Sequence, residues 1–246
     1  MIVALLDALH GQGAGFTVAC PAFPDNGRTV FKGHLFVGDE LLQDSGMRNH
    51  PLTPMTDSNL VRVLQAQTRR KVGLVPYSVV AEGAQAVRER FAALQAQGVS
   101  IAVLDAISNR DLMHIGPALA DMPLVTAGSG IAIGLPANWQ GSGRLPAQQT
   151  ADALPAVPGK AAVVSGSCSV ATNAQVLAFQ QAGYPSHSID PLALAAGQDV
   201  VGDVLRWAEP LLEQGPVLVY ATAQAQDVKS VQQRLGVMQA GELVEQ

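Results

Sequence analysis

The chain has 246 residues, enough for one large domain or two small ones, and its 48% apolar and 14% charged residues exclude a disordered protein. A formal net charge of −5 leaves no basic surface for nucleic acid. No apolar run is long enough to span a membrane, and the N-terminal segment lacks the basic start of a secretory signal, so we expect a cytoplasmic protein.

The N-terminal part of the chain combines a helix, a buried strand and a hairpin. The segment MIVALLDALHGQGAG has the pattern of an amphipathic helix, and Phe16–Ala22 is a short β-branched run typical of a buried strand. The turn signal Asp25–Gly27 precedes RTVFKGHLFVG, which predicts a small hairpin with Lys32–Gly33 near its tip. After a loop punctuated by proline, the next helix is predicted to begin near Asp57–Ser58.

From there on, apolar strands alternate with amphipathic helices, which is typical of a parallel sheet. The strands are KVGLVPYS, SIAVLDAIS and PLVTAGSG, and a helix is predicted to begin within GIAIGLPANW. The segment Gln140–Gly159 is rich in Gly, Pro, Ala and Gln, so we interpret it as a linker. Beyond it the strands KAAVVSGS, YPSHSID and PVLVYATA alternate with helices, the last helix being predicted over DVKSVQQRLGVMQAGELVEQ. The sequence therefore predicts an α/β protein, with a Rossmann-like parallel-sheet domain over 1–139 and a partial second α/β domain over 160–246.

A turn rich in serine and glycine joins one of these strands to its helix. In AAVVSGSCSVATNAQV, the backbone N–H groups at the start of the helix lack helical partners and favour an anion such as phosphate. Gly166 would let the backbone approach closely, and Ser165, Ser167 and Ser169 would add hydroxyl groups. The alternative is an ordinary strand-to-helix turn with a serine N-cap. Neither the P-loop nor the dinucleotide-binding fingerprint matches this turn.

Two other strand ends carry polar or glycine residues, where ligands bind in doubly wound sheets. The segment VLDAIS provides Asp105, which could act as a base or bind a hydroxyl, or could instead cap a helix or bond a neighbouring turn. The segment VTAGSG provides Gly128, Ser129 and Gly130, a second candidate turn for an anionic ligand.

The loop SGMRNHPLTPMTDSN contains many polar side chains and is stiffened by Pro51 and Pro54. Its Arg48, His50 and Asp57 suit a small carboxylate or polyol. The alternative is a solvated loop in which Asp57 or Ser58 caps the following helix. The histidines and the two cysteines show no metal-ligand spacing, and no GxSxG motif supports a hydrolase.

Taken together and in this order, ACPAFPDNGRTVFKGHLFVGDELLQDSGMRNHPLTPMTDSNLVRVLQ, DAIS, TAGSGIAIGLPANW and VVSGSCSVATNAQV resemble the four-carbon acid sugar kinases, most closely the 3-oxo-tetronate kinases. The resemblance implies that an N-terminal domain binds a four-carbon sugar acid and that a C-terminal domain binds ATP, with Mg²⁺ as its metal. Phosphate would then pass to the terminal hydroxyl of the acid. The resemblance places Ser165, Gly166, Ser167 and Ser169 on ATP, and it places the polar loop and the TAGSG turn on the sugar acid.

The chain lacks the Asp-Asp-Leu-Thr-Gly-like segment that precedes this region in the family, and it lacks the later segments resembling GGETSG and SGNFG. We therefore expect an internal part of such a kinase, with the catalytic base unidentified. The alternatives are a catalytically inactive binding module or a remnant that keeps a sugar-acid or phosphate pocket. Unpaired sheet edges would favour a homodimer.

Overall fold

The computed structural model describes residues 2–9, 15–50, 53–146 and 153–221. The chain divides into two compact units, Met1–Ala151 (unit 1) and Asp152–Gln246 (unit 2), which are described separately. Parallel sheets with connecting helices confirm the α/β class. In the described ranges, no helix combines the length and apolar character needed to cross a bilayer.

The described residues of unit 1 form two sheets. A parallel sheet has the strand order β5-β6-β1-β7, and an antiparallel sheet has the order β2-β3-β4. The strands are β1 (Thr17–Cys20), β2 (Arg28–Phe31), β3 (His34–Val37), β4 (Glu40–Leu41), β5 (Lys71–Val75), β6 (Val99–Leu104) and β7 (Thr126–Ala127).

Helices of unit 1 pack against strands β5 and β6 of the parallel sheet. The longest of them buries Val87, Phe91 and Leu94, which are spaced so that they share one face. The helices are α1 (Ile2–Leu9), α2 (Leu60–Gln65), α3 (Tyr77–Val80), α4 (Ala84–Ala96), α5 (Asn109–Ala118) and α6 (Pro136–Gly141).

The core of unit 1 lies around β6 and β1, the two central strands. Ile101 and Leu104 are fully buried, and each such side chain contributes about 2 kcal/mol by leaving water. Phe16 contacts Phe91 of α4 with ring centroids 5.5 Å apart. Because aromatic residues are scarce in this chain, aliphatic side chains fill most of the remaining space.

The hairpin predicted from RTVFKGHLFVG is present as β2 and β3. Its two turn residues, Lys32 and Gly33, have φ angles of 50° and 75°, which match the right-handed twist of the flanking strands. Val30 exchanges main-chain hydrogen bonds with Ala106, immediately after β6, so the hairpin lies across the carboxyl end of that strand. The third strand of this sheet, β4, was not predicted.

One predicted helix start in unit 1 is wrong, whereas the helix predicted to begin within GIAIGLPANW is present. Helix α2 begins at Leu60 and is capped by Asn59, not by Asp57 or Ser58. The segment Ser129–Ile133 forms a 3₁₀ helix before α6 begins at Pro136. Glycines at 130 and 134 weaken an α-helix there, and Pro136 has no N–H with which to continue one.

Unit 2 is smaller and has one parallel sheet with the order β8-β10-β9. Its closing helix, predicted after residue 225, lies outside the described residues, as does part of the predicted linker. The elements are β8 (Ala162–Ser165), α7 (Val170–Gln181), β9 (Ser186–Ser188), α8 (Pro191–Ala195), α9 (Val200–Leu211) and β10 (Val217–Tyr220).

Candidate functional site

The serine-rich turn lies between β8 and α7, at the carboxyl end of β8. Ser165 ends the strand, where its carbonyl oxygen accepts from the N–H of Ala221 at 2.8 Å. Ser169 is the N-cap of α7, because its Oγ accepts from the N–H of Thr172 at 3.1 Å. Ser167 Oγ accepts from the N–H of Ser169 at 3.2 Å, which folds the turn on itself. The N-cap interpretation therefore holds for Ser169.

Main-chain N–H groups in this turn are open to a ligand. Within residues 153–221, the N–H groups of Ser167, Cys168 and Val170 have no hydrogen-bond acceptor. Such groups at a helix start carry partial positive charge and bind anions well. A Cβ atom added to Gly166 would meet no atom of the described residues within 4 Å, so these residues leave the space beside the turn open.

A cavity of about 410 Å³ adjoins the turn. Its polar side consists of Ser165, Gly166, Ser167, Thr172 and Gln175, and its apolar side includes Val176, Phe179 and Leu218. A site with one hydrogen-bonding end and one apolar end suits a ligand that combines an anionic group with a flat apolar body.

Asp105 lies directly after β6 and is fully buried. Its carboxylate accepts from three main-chain N–H groups: Lys32 at 2.7 Å, Gly33 at 2.8 Å and Tyr77 at 2.9 Å. Burial raises the pKa of Asp105 above its ordinary value, and these three donors oppose that rise. This geometry is that of the alternative in which Asp105 bonds a neighbouring turn, because both of its oxygens are already occupied.

The TAGSG segment begins with the two residues of β7 and turns beside the end of β1. The N–H of Gly128 donates to the carbonyl oxygen of Cys20 at 2.9 Å, and Ser129 is exposed. A Cβ atom on Gly130 would lie 2.2 Å from the carbonyl oxygen of Ala22. Glycine at 130 is therefore required by main-chain packing, whereas Gly128 and Ser129 face accessible space.

The polar loop places its three predicted residues in different surroundings. Arg48 is exposed, with an ion-pair distance of 4.0 Å to Asp44. The Nδ1 atom of His50 lies 3.1 Å from both the N–H and the hydroxyl of Thr53. Among the described residues, no hydrogen bond or ion pair joins Arg48 or His50 to Asp57.

Asp57 is held by Arg62, a residue that the sequence reasoning did not identify. Arg62 Nε and Nη2 each donate to one carboxylate oxygen of Asp57 at 2.6 Å. The hydrogen bond from Arg62, helped by the N–H of Asn59, lowers the pKa of Asp57 to about 2. The i, i+5 spacing of the pair is not a regular helical spacing, so the sequence carried no clear signal for it.

The two cysteines differ in their surroundings. Cys20 is fully buried in β1, and burial raises the pKa of its thiol to about 11, which makes it inert. Cys168 lies in the serine-rich turn and is partly exposed. In the described ranges no group of three or more metal-ligating side chains forms.

Comparison with known proteins assigns a description to each unit. Residues 1–135 match a family model described as a sugar-binding N-terminal domain. Residues 162–246 match a family model described as a nucleotide-binding C-terminal domain.

Curated relatives are named 3-oxo-tetronate kinase. Those of Burkholderia multivorans and Pseudomonas fluorescens are 58% and 56% identical to this chain over 242 residues. In both cases the match covers 98% of this chain and 55% of the relative. This chain thus spans about half the length of the curated relatives it matches.

Solved structures agree with the fold. A Haemophilus influenzae protein matches with a TM-score of 0.59 and 40% identity, over 97% of this chain and 57% of the other. A Salmonella typhimurium protein, described as a putative tRNA synthase, matches with a TM-score of 0.66 and 38% identity, over 97% of this chain and 56% of the other.

Proposed function

We propose that this chain, which belongs to the four-carbon acid sugar kinase family, binds a four-carbon sugar acid through unit 1 and ATP through unit 2. The reaction is phosphoryl transfer to the terminal hydroxyl of the acid. The names of the relatives supply the substrate class, a 3-oxo-tetronate. The observation that carries the proposal is the turn between β8 and α7, where main-chain N–H groups remain without acceptors beside a cavity.

In unit 2, the residues present fit the triphosphate of ATP. The N–H groups of Ser167, Cys168 and Val170 would bind phosphate oxygens, with hydroxyl groups from Ser165 and Ser167 at the same end of the cavity. Gly166 keeps the approach open, and Ser169 holds the turn by capping α7. Mg²⁺ would reach the site on the phosphates, since this ion usually keeps several waters and few protein ligands.

In unit 1, Arg48 and His50 are the groups available for the acid. Arg48 has a planar, always charged guanidinium that matches a carboxylate. Its contacts among the described residues are long: Nη1 donates to the carbonyl oxygen of Gln43 at 3.4 Å and lies 4.0 Å from Asp44. Gly128, Ser129 and Gly130 supply a second polar turn, of which Gly128 and Ser129 are accessible. Asp57 and Asp105 already have partners, so we assign them to holding the loop and the hairpin in place.

ATP supplies the transferred phosphoryl group when it is bound. Transfer would form a bond from the terminal hydroxyl oxygen of the acid to the γ-phosphorus and break the bond from that phosphorus to the β,γ-bridging oxygen. ADP would leave, and the hydroxyl proton would be released to solvent. What the chain provides is position and charge: donors at the serine-rich turn and a cation at the acid.

Ligand binding and turnover test this proposal separately. Purified chain is heated with ATP–Mg²⁺ alone, a four-carbon sugar acid alone, and both, because a ligand that binds the native state raises the melting temperature. We expect a shift with each ligand. ADP release that depends on a 3-oxo-tetronate then measures transfer. Absence of a shift with ATP would contradict the assignment of unit 2, and absence of one with the acid would contradict that of unit 1.

A homodimer remains a prediction. Among the described strands, β8 pairs only with β10, and Val164 of β8 is 80% exposed. An apolar strand at the edge of a sheet readily pairs with another chain. Sedimentation velocity over a range of concentrations tests this, with a single monomeric species as the contradicting result.

A further inference from the structure

We propose that a second cavity, in unit 1, binds a small organic anion with an apolar body, such as an aromatic or short-chain monocarboxylate. The cavity has a volume of about 680 Å³, and we call it the Lys32 cavity. This proposal is independent of the kinase reaction. The lining residues are Lys32, Asn59, Val61, Arg62, Gln65, Ala66 and Leu74.

The charge of the lining favours an anion. Two lining side chains are cationic and none is acidic. Arg62 uses Nε and Nη2 on Asp57, which leaves its Nη1 without a hydrogen bond among the described residues. The ammonium group of Lys32 has no carboxylate partner in the described ranges, and its contact is the face of the Phe31 ring, 5.5 Å from the centroid.

The chain holds Lys32 at a fixed point beside the cavity. Its main-chain N–H donates to Asp105, as does that of Gly33, so a fully buried carboxylate pins the hairpin turn. In the described ranges Lys32 is the one residue other than glycine with positive φ. Asparagine or glycine would adopt that backbone more easily, so the turn itself does not favour a lysine at this position.

The floor of the cavity distinguishes the ligand from a sugar acid. Val61, Ala66 and Leu74 provide apolar surface, whereas every carbon of a sugar acid carries an oxygen that needs a polar partner. A Cβ atom on Gly33 would lie 3.5 Å from both Val61 and Leu74, so the hairpin tip borders this floor directly. The ligand that satisfies both ends has a carboxylate toward Lys32 and Arg62 and a hydrocarbon body over the floor.

The test is a titration of the full chain with benzoate, monitored by the NMR chemical shifts of amide and methyl groups. Benzamide, which has a similar shape but no charge, is the control ligand. We expect saturable shifts at Val61 and Leu74 with benzoate, and binding about threefold or more weaker with benzamide, in line with one exposed charge interaction. Absence of saturable shifts at these residues, or equal binding of the two compounds, would overturn the proposal.

Variants of Lys32 check that the cation is responsible. Asparagine suits the left-handed turn, so Lys32→Asn should keep the fold. We expect this substitution to weaken the binding of benzoate but not that of benzamide. Lys160→Met, in unit 2, is the matched control and should leave both unchanged. Unaltered benzoate binding in Lys32→Asn would overturn the proposal.

A competition experiment separates this cavity from the substrate site. If a four-carbon sugar acid displaced benzoate at equal concentration, the proposal would also be overturned, because the cavity would then belong to the substrate. Failure of ATP to bind would affect only the kinase proposal.

Discussion

A Cβ atom on Gly116 would lie 2.0 Å from the carbonyl oxygen of Gly134, so the segment after the TAGSG turn crosses helix α5 in direct main-chain contact. The relation is mutual, because a Cβ atom on Gly134 would lie 2.1 Å from the carbonyl oxygen of Leu112. Asn138 reinforces the crossing by donating to the carbonyl oxygen of Gly116 at 2.8 Å. Both glycines are therefore packing residues that fix where the TAGSG turn is held.

The first prediction concerns this contact. Gly116→Ala should lower the free energy of unfolding by about 3 kcal/mol or more, because the added methyl group meets main chain that has no rotamer to change. Gly141→Ala, in helix α6, is the matched control, since its Cβ atom meets nothing within 4 Å. Urea denaturation of both variants measures the effect. Equal stabilities would contradict the close crossing.

The second prediction concerns Asp105 as the residue that holds the hairpin. In Asp105→Asn, the remaining side-chain oxygen can still accept from two of the three N–H groups, but the new NH₂ group would face the third. We therefore expect the free energy of unfolding to fall by about 1–3 kcal/mol. Asp105→Ala leaves all three N–H groups without a partner and should cost more. The control is Asp39→Asn, because Asp39 is exposed and its substitution should change the free energy of unfolding by less than about 0.5 kcal/mol. The measurement is again urea denaturation, and an asparagine variant as stable as the parent would remove Asp105 from this role.

The third prediction concerns the serine-rich turn. Ser167→Ala should weaken ATP binding about tenfold, since a hydrogen bond to a charged phosphate is lost, while binding of the sugar acid is unchanged. Isothermal titration with each ligand separates the two effects. Ser142→Ala, an exposed serine of unit 1, is the control. Unchanged ATP affinity in Ser167→Ala would take Ser167 out of the site.

The fourth prediction concerns Arg48. Arg48→Ala should weaken the binding of a four-carbon sugar acid about tenfold, because the carboxylate loses its partner. The binding of the corresponding uncharged sugar alcohol should be nearly unchanged. Arg69→Ala removes an exposed arginine elsewhere in unit 1 and serves as the control. If Arg48→Ala weakened ATP instead, the assignment of ligands to the two units would be reversed.

Local chemistry made much of the fold predictable. The hairpin tip at Lys32–Gly33 and the apolar face of Val87, Phe91 and Leu94 both follow from short sequence patterns, and both are present. The serine N-cap was likewise one of two stated alternatives for the turn after β8, and Ser169 fulfils it.

Contacts between distant residues were not predictable in the same way. Asp105 bonds Lys32, 73 residues away, and no pattern in the sequence marks that pairing. The start of α2 was predicted too early because Asp57 and Asn59 are both residue types that cap helices. In the structure Asp57 forms an ion pair with Arg62, and Asn59 caps the helix instead. In unit 2, the serine-rich turn therefore has main-chain N–H groups without acceptors, as its strand-to-helix pattern predicts. In unit 1, by contrast, the carboxylates of Asp57 and Asp105 already accept hydrogen bonds from other residues of the chain.

The last prediction concerns the Asp57–Arg62 pair and its dependence on pH. The pair lowers the pKa of Asp57 from its ordinary value of 3.8 to about 2, so the folded state holds the proton less tightly than the unfolded state. The stability that the pair contributes is therefore fully present above about pH 4 and is lost as the pH falls toward 2. We expect the difference in free energy of unfolding between the parent chain and Asp57→Asn to shrink over this window and to be constant from pH 5 to 7. The pair is exposed, so the difference should also decrease in about 1 M salt. A difference that persisted unchanged at pH 2 would mean that Asp57 acts through its shape and not through its charge.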